Sequence, residues 1–149
     1  ANITQVHFIK LRLYNEKGKE IANTFYWRSN DKYEGSKTLT GPTSSGFEDL
    51  SKLKQVQLKT RHQVYEENGR HFIKAEIKNT SSTLAFFTQL QLLDENKKPV
   101  RPSFYTDNFF SLLPGESKTI LIETALEDMP AKPTFVVKGW NVKSKTFQL

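Results

Sequence analysis

Residues 54–79 read KQVQLKTRHQVYEENGRHFIKAEIKN, and this stretch decides the fold class. Apolar and polar side chains alternate with period two on both sides of Asn68-Gly69, which is the pattern of strands with one buried face. Asn68-Gly69 is a strong hairpin signal, because both central residues of a type I′ turn need positive φ. The stretch therefore predicts a pair of antiparallel strands. The side chains expected on the apolar faces of the pair are Val56, Leu58, Val64, Ile73, Ala75 and Ile77.

The same alternation recurs along the rest of the chain and predicts about eight short strands separated by turn signals. Such a pattern favours an all-β fold, an immunoglobulin-like antiparallel β-sandwich of about 7–9 strands. We expect one domain over residues 1–149, close to the usual domain size. The chain has no Cys, so Trp27 or Trp140 is expected to fill the core in place of the antibody disulfide. One strand is expected to place Leu84, Phe86, Leu90 and Leu92 on a single face.

One long segment, residues 29–52, interrupts the strand pattern. It is rich in Gly, Ser and Thr and contains Pro42. An irregular connection of this length is uncommon in a compact domain and is often functional. We expect it to lie against a neighbouring domain of a longer protein. GFEDLSKL, residues 46–53, is expected to form one short helical turn.

The charge pattern argues against nucleic acid as a partner. The formal charge is +6, but the basic residues are scattered and alternate with apolar neighbours. Proteins that bind nucleic acid more often cluster their basic residues in a stripe with exposed aromatic side chains. No apolar run approaches the ~20 residues that span a bilayer, so no membrane partner is expected. The chain begins at Ala1 and its one Met is Met129, so we expect a processed product or a fragment of a longer protein.

Asp107 and Glu116, in FYTDNFFSLLPGES (residues 104–117), are the candidate catalytic pair. Retaining glycosidases need two carboxyl groups ~5–5.5 Å apart, and these acids flank a turn that would let them approach. However, Glu116 follows a Pro-Gly turn signal, and Asp107-Asn108 suits side-chain hydrogen bonds to the local backbone. We therefore prefer the structural interpretation and predict no catalytic residue. The three His residues lack metal-ligand spacing, so we expect no metal and no cofactor.

The candidate binding residues are four aromatics in or beside irregular segments: Tyr26, Trp27, Tyr33 and Tyr105. Flat rings can stack on sugar C–H bonds, so this composition suits a carbohydrate-binding surface. It also suits a domain–domain interface, where Trp and Tyr are enriched. Burial in the core explains Trp27 equally well. The residues alone leave these alternatives open, and we prefer core or interface.

Three further stretches are informative together: NTFYWRSN (residues 23–30), FEDLSKL (47–53) and KNTSSTLAFFTQLQLLDENKKPVRPSFYTDNFFSLLPGESKTI (78–120). In their order and spacing they resemble the C-terminal immunoglobulin-like domain of glycoside hydrolase family 2. The branch that they resemble is the group of exo-β-glucosaminidases and β-mannosidases. The departures are small: Thr106 stands where Ser is usual, and Arg28 stands where an apolar residue is common.

The resemblance implies a non-catalytic module, because both catalytic glutamates of that family belong to an upstream TIM-barrel domain. The parent is expected to be an exo-acting retaining β-glycosidase of β-mannosidase or exo-β-glucosaminidase type, active in carbohydrate metabolism. The module is expected to pack against the catalytic barrel and stabilise it, so its partners are the other domains of that hydrolase. The alternative is an independent carbohydrate-binding module for a β-linked oligosaccharide. An extracytoplasmic bacterial location, periplasmic or secreted, is also expected.

Overall fold

The computed structural model describes residues 3–30 and 46–149. The chain divides into two compact units, Ala1–Leu53 and Lys54–Leu149. The single domain expected over residues 1–149 stays a prediction. No helix within the described residues has the length and apolar character needed to cross a membrane.

The described residues of the first unit form an antiparallel hairpin. Strand β1 (Val6–Tyr14) pairs with β2 (Glu20–Ser29). The turn between them is held by the Asn15 side chain, whose Oδ1 accepts hydrogen bonds from the backbone N–H groups of Lys17 (3.0 Å) and Lys19 (2.9 Å). A short 3₁₀ helix follows at Glu48–Lys52, where the sequence predicted one helical turn. Most of the predicted irregular segment, residues 31–45, lies outside the described residues.

The second unit contains eight strands in two sheets of four. One sheet has the order β3-β4-β8-β6 and the other β10-β9-β5-β7. The strands of the first sheet are β3 (Lys59–Glu67), β4 (Arg70–Lys78), β6 (Phe104–Tyr105) and β8 (Ser117–Ala125). Those of the second sheet are β5 (Ala85–Leu93), β7 (Phe110–Leu112), β9 (Thr134–Lys138) and β10 (Lys145–Gln148). A short 3₁₀ helix, Leu126–Asp128, follows β8.

Residues from both sheets form one hydrophobic core, which confirms the predicted immunoglobulin-like β-sandwich. The first sheet contributes inward side chains from β4 and β8, and the second contributes them from β5, β7 and β9. Burial of such apolar side chains is worth about 1.5–3 kcal/mol each relative to exposure, before the entropy of ordering is counted. The core includes Ile73, Ala75, Ile77, Ile120, Ile122, Leu90, Leu92, Phe110, Leu112, Phe135 and Val137.

The β3–β4 hairpin has the predicted turn. Glu67 pairs with Arg70 at its end, and the two residues between them have positive φ, 51° at Asn68 and 74° at Gly69. These are the left-handed conformations that a type I′ turn requires. The turn therefore sets the register that carries Ile73 and Ile77 into the core.

The prediction for β5 needs a correction at its centre. Leu84, Phe86, Leu90 and Leu92 are all buried, but they do not form one alternating set. Ala85 pairs with Leu112 and Thr88 with Phe110, so three steps along β5 oppose two along β7. This β-bulge shifts the alternation, and as a result Ala85 joins Leu90 and Leu92 in the core cluster.

The tryptophans do not fill the core, and that prediction was wrong. Trp27 is 42% exposed and Trp140 is 59% exposed. The centre of the sandwich is filled instead by aliphatic side chains and by Phe135, which is fully buried. Aromatic size alone did not decide burial, because inward-facing strand positions carry enough Ile, Leu and Val to close the space between the sheets.

Candidate functional site

The two acids of the candidate catalytic pair both serve the local backbone. Asp107 Oδ1 accepts a hydrogen bond from the Asn108 N–H at 2.7 Å, and its other carboxylate oxygen forms an ion pair with Lys118. Glu116 Oε2 accepts the Leu113 N–H at 2.8 Å and so closes the Pro-Gly turn. These are the turn and corner roles preferred from the sequence.

His62 and His71 lie on adjacent strands of the first sheet of the sandwich, and His7 lies on β1 of the other unit. The His62 ring packs edge-on against Phe135, with ring centroids 5.2 Å apart. His71 Nδ1 lies 3.5 Å from a Glu66 carboxylate oxygen. Among residues 3–30 and 46–149, no group of three or more His, Cys, Asp or Glu side chains is placed to hold a metal ion.

Two of the four candidate binding aromatics lie on β2, and their side chains point to opposite faces of the hairpin. Neighbouring residues of a strand alternate in direction, and the register pairs Tyr26 with Ile9 but Trp27 with Phe8. Tyr26 and Trp27 are both exposed. They do not form a single flat row with each other. Tyr33 lies outside the described residues.

The fourth candidate, Tyr105, is tied to the sandwich. It packs against the core, and its hydroxyl oxygen accepts the Leu92 N–H at 2.9 Å. Burial raises the pKa of the Tyr105 phenol above its ordinary value, while the hydrogen bond from Leu92 opposes part of that rise. Tyr105 therefore braces β6 against β5, and its predicted role in sugar binding or an interface stays a prediction, as it does for Tyr26, Trp27 and Tyr33.

A pair of exposed aromatics on the sandwich was missed by the sequence reasoning. The rings of Phe87 and Phe109 lie 5.3 Å apart at 44°, and we call the two residues the aromatic patch. Both have left-handed backbones, with φ of 54° and 56°. Positive φ is unusual for a bulky side chain and costs on the order of 1–3 kcal/mol, so the surrounding structure must impose it.

Polar contacts hold the backbone of the patch in place. The Asn108 side chain accepts the Leu90 N–H and donates to the Leu90 C=O, both at 2.9 Å, and also accepts the Phe109 N–H at 3.1 Å. The Phe87 N–H donates to Ser111 Oγ at 3.2 Å. These side chain–backbone hydrogen bonds fix the backbone at the aromatic patch and limit its motion.

Asn141 and Gly139 approach the backbone of β5 at and beside the aromatic patch. Asn141 Oδ1 accepts the Phe86 N–H at 2.8 Å, and its Nδ2 donates to the carbonyls of Leu84 (2.7 Å) and Lys54 (2.9 Å). A Cβ at Gly139 would lie 3.0 Å from the Phe86 carbonyl oxygen and 3.1 Å from that of Phe87, so the close approach needs glycine. No local sequence signal marks Asn141, since its partners are 55 to 87 residues away.

The outer face of the β3–β4 hairpin is basic. Lys59 pairs with Lys78, and Arg61 pairs with Glu76. Lys74 lies two residues from Glu76 and so shares that face. With the Glu67–Arg70 pair at the turn end, the face carries five cations and two acids, an excess that repels positively charged ligands at low ionic strength.

Two four-stranded antiparallel sheets packed around one hydrophobic core define an immunoglobulin-type β-sandwich module. The chain belongs to a more particular family, the exo-β-D-glucosaminidase Ig-fold domain, whose family model matches residues 38–142. This confirms the resemblance seen in the sequence. The match covers strands β3 to β9 of the sandwich and leaves the β1–β2 hairpin and β10 outside it.

Relatives and solved structures of this family align with nearly all of the chain. It is 29% identical to an exo-β-D-glucosaminidase of Amycolatopsis orientalis over 98% of this chain, and 28% identical to one of Arthroderma benhamiae over 94%. The crystal structure of the Amycolatopsis orientalis exo-chitosanase CsxA covers all of this chain with a TM-score of 0.85 and 26% identity. The chain spans 15% and 16% of the length of those two relatives and 19% of the crystallised chain. These matches do not support the β-mannosidase alternative.

Proposed function

We propose that the chain is the non-catalytic Ig-fold module of an exo-acting retaining β-glycosidase of exo-β-D-glucosaminidase type. In this proposal the module packs against the catalytic part of its parent and stabilises it, and the parent acts in carbohydrate metabolism. The observation that carries the packing role is the aromatic patch, Phe87 and Phe109, on a member of this domain family. The extracytoplasmic location of the parent stays a prediction.

The patch favours a docking role because the sandwich alone gains little from it. Phe109 is 50% exposed, so its ring is only half removed from water. Its backbone nevertheless occupies the left-handed region. A partner that covers a Phe side chain recovers up to about 1.5–3 kcal/mol, which can offset the backbone cost. Rigid aromatic side chains are also enriched at protein interfaces.

Charge favours packing over the binding of amino-sugar chains. Glucosamine units carry a protonatable amine, and an oligomer of them is a polycation at acidic pH. The chain itself has a formal charge of +6, and the outer face of its β3–β4 hairpin carries five cationic and two acidic side chains. Like charges repel, so a surface of this kind is poorly suited to hold such a ligand.

Phe109→Asn tests the packing role, because Asn adopts the left-handed backbone more readily than Phe. In the 149-residue chain we expect a change in the free energy of unfolding below about 1 kcal/mol, since relief of strain and loss of the ring contact oppose each other. In the full-length parent we expect a clear fall in the thermal midpoint. Turnover measured well below that midpoint is expected to stay unchanged.

Lys97→Asn is the matched control, because Lys97 is also exposed and has a φ of 61°. It lies in the β5–β6 connection, away from the ring pair, and is expected to have the same small effect in the chain and in the parent. Equal effects of Phe109→Asn in both proteins would show that nothing covers the patch and would contradict the docking role.

The alternative, an independent carbohydrate-binding module, has one observation in its favour: Tyr26 and Trp27 are exposed. Titration of the 149-residue chain with glucosamine and mannose oligomers at low and moderate salt tests it. Saturable binding that is lost in Tyr26→Ala would contradict the packing role and support the carbohydrate-binding alternative. We expect no binding at millimolar oligomer.

A further inference from the structure

The outer face of the first sheet has a basic end, which lies away from the β3–β4 turn. Lys59 and Lys78 are opposite each other in this sheet, and Arg61 is opposite Glu76. Lys74 is two residues from Glu76 on β4 and so points to the same side. We call this end of the face the basic groove. Its charged side chains, all of them exposed, are Lys59, Arg61, Lys74, Glu76 and Lys78.

The groove is concave and extended. A hollow of about 470 Å³ reaches from Arg61 to Lys74. A second hollow, of about 130 Å³, lies between Arg61, Lys59 and Lys78. Arg61 and Glu76 line both hollows, so the two adjoin. The larger hollow by itself is within the roughly 300–1,000 Å³ range of ligand pockets.

The cations of the groove are not neutralised by neighbouring acids. Elsewhere on the sandwich, Arg70 forms an ion pair with Glu123, and Lys118 forms one with Asp107. Within residues 3–30 and 46–149, none of the four groove cations forms an ion pair with a carboxylate. Four cations and one acid leave a formal excess of three positive charges in the groove. A cleft lined by one sign of charge raises the local concentration of ligands of the opposite sign.

A stacked aromatic pair borders the groove on the side of the β3–β4 turn. Tyr65 and Phe72 are opposite in register, and their rings lie 5.1 Å apart at 16°. Phe72 is two residues from Lys74, so the pair shares the face of the groove. Tyr65 is 40% exposed. The groove therefore offers free cations beside an exposed ring, which suits a ligand that has both acid groups and apolar C–H surfaces.

Composition favours an anionic polymer over a folded protein as the ligand. Lys is depleted at protein–protein interfaces, and three of the four groove cations are Lys. The proposed function places the parent among polymers of glucosamine, which are polycations at acidic pH. Electroneutrality requires anions beside a solid polycation, and acidic polysaccharides are polymeric anions of the same class of material.

We propose that the basic groove binds an acidic polysaccharide. Acid groups of the polymer pair with Arg61 and the three lysines, and a sugar ring lies against Tyr65. Such binding holds the parent at sugar material whose cationic chains the same face repels. The choice of a polysaccharide as the polyanion rests on the proposed function, whereas the preference for a polyanion rests on the charge and shape of the groove alone.

Titration of the 149-residue chain with oligogalacturonate at low salt, followed by calorimetry, tests the groove. We expect saturable binding that weakens as salt rises, because association releases counterions. Arg61→Gln/Lys74→Gln is expected to weaken it by about tenfold, since two of the contacting charges are lost. Dextran sulfate in a parallel titration shows whether carboxylate or sulfate is preferred, and binding of neither polymer would overturn the inference.

Lys97→Gln/Lys132→Gln is the matched control, because it removes the same charge from exposed loop positions of the sandwich outside the groove. We expect it to weaken binding by less than about twofold, since salt screens charges that lie far from the ligand. Thermal midpoints of both double variants should equal that of the parent sequence, because all four side chains are exposed. Equal losses of affinity in the two double variants would show that net charge alone attracts the polymer, which contradicts a site at the groove.

Tyr65→Thr tests the contact with a sugar ring, and Thr preserves the preference for a strand. We expect about threefold weaker binding of oligogalacturonate, the scale of one lost aromatic contact. Binding of polyglutamate of equal charge should not change, because that polymer has no sugar ring. An equal loss for both polymers would contradict the ring contact. Tighter binding of single-stranded oligo-dT than of oligogalacturonate at equal charge would overturn the choice of a polysaccharide.

The full-length parent should bind oligogalacturonate as the 149-residue chain does. Binding by the chain that is absent in the parent would show that the groove is covered there and would overturn the inference. The docking role of the aromatic patch fails separately. Polymer binding by both proteins, with equal effects of Phe109→Asn in both, keeps the groove and rejects the docking role. An effect of Phe109→Asn in the parent alone, without polymer binding, keeps the docking role and rejects the groove.

Discussion

The β1–β2 hairpin and the β3–β4 hairpin are built on the same local pattern and differ in what covers them. Both are antiparallel pairs of about the same length with alternating apolar residues and a glycine of positive φ in the turn. Ile73, Ala75 and Ile77 of β4 are buried in the core, whereas Leu11 and Leu13 of β1 are exposed. Alternation therefore specifies a strand pair, but burial depends on whether a second sheet lies against it.

Truncation of one apolar side chain in each hairpin should give the largest contrast. Ile73→Ala is expected to lower the free energy of unfolding of the sandwich by about 2–5 kcal/mol, because it removes buried methyl groups and leaves a cavity. Leu13→Ala in the same chain should cost less than about 0.5 kcal/mol, because its side chain is exposed. Denaturant titration in a Trp27→Phe background, followed by Trp140 fluorescence, reports on the sandwich alone.

If Ile73→Ala does not fold, Ile73→Val keeps the comparison measurable, with an expected loss of about 0.5–1.5 kcal/mol. Since Trp140 reports on the sandwich, a similar loss for Leu13→Ala and Ile73→Ala would mean that the hairpin unfolds with the sandwich and stabilises it as much as β4 does. That result would remove the distinction between the two regions.

The second-largest contrast in unfolding free energy is expected between an asparagine of the sandwich and an asparagine of the β1–β2 hairpin. Asn141→Ala leaves the Phe86 N–H and the carbonyls of Leu84 and Lys54 without that partner, and we expect a loss of about 1–3 kcal/mol. Asn23→Ala removes an exposed hydrogen bond to Glu20 and should cost less than about 0.5 kcal/mol. The same fluorescence titration measures both variants. A neutral Asn141→Ala would show that water replaces the side chain.

Substitution of the turn glycines by alanine should give the smallest contrast in unfolding free energy between the two hairpins. Gly69 and Gly18 have φ of 74° and 72°, and nothing lies within 4 Å of a Cβ at either position. Each substitution therefore costs backbone strain alone, on the order of 1 kcal/mol. We expect Gly69→Ala to lower the sandwich's unfolding free energy by about that amount and Gly18→Ala to leave it unchanged. An equal effect of Gly18→Ala would show that the hairpin and the sandwich unfold together.

Some features could be predicted because their causes are local. Asn68-Gly69 specified a turn, the Asp107-Asn108 corner formed with the expected side-chain hydrogen bond to the local backbone, and Pro114-Gly115 formed the expected turn. The bulge in β5 was not predictable, because it depends on how β5 is paired with β7. Without the bulge, the sequence suggested that Phe86 shares the face of Leu90, whereas Ala85 joins the core cluster.

The candidate site residues show the same difference between local causes, which the sequence reveals, and long-range contacts, which it does not. The sequence marked Tyr26 and Trp27 by composition but did not distinguish burial from exposure. It missed Phe87 and Phe109, since a left-handed backbone at Phe has no sequence signature. It also missed Asn141, whose role appears only when β5 and the segment after β9 come together.

The sequence by itself determined the strand pattern, the turns and the family of this protein, because each follows from short-range alternation, turn chemistry and motif order. The tertiary structure alone decided which apolar faces are covered, which asparagines anchor distant backbone and where two Phe rings remain exposed. Those outcomes depend on contacts between residues far apart in the chain. An apolar face has the same local chemistry whether or not another sheet is present to cover it.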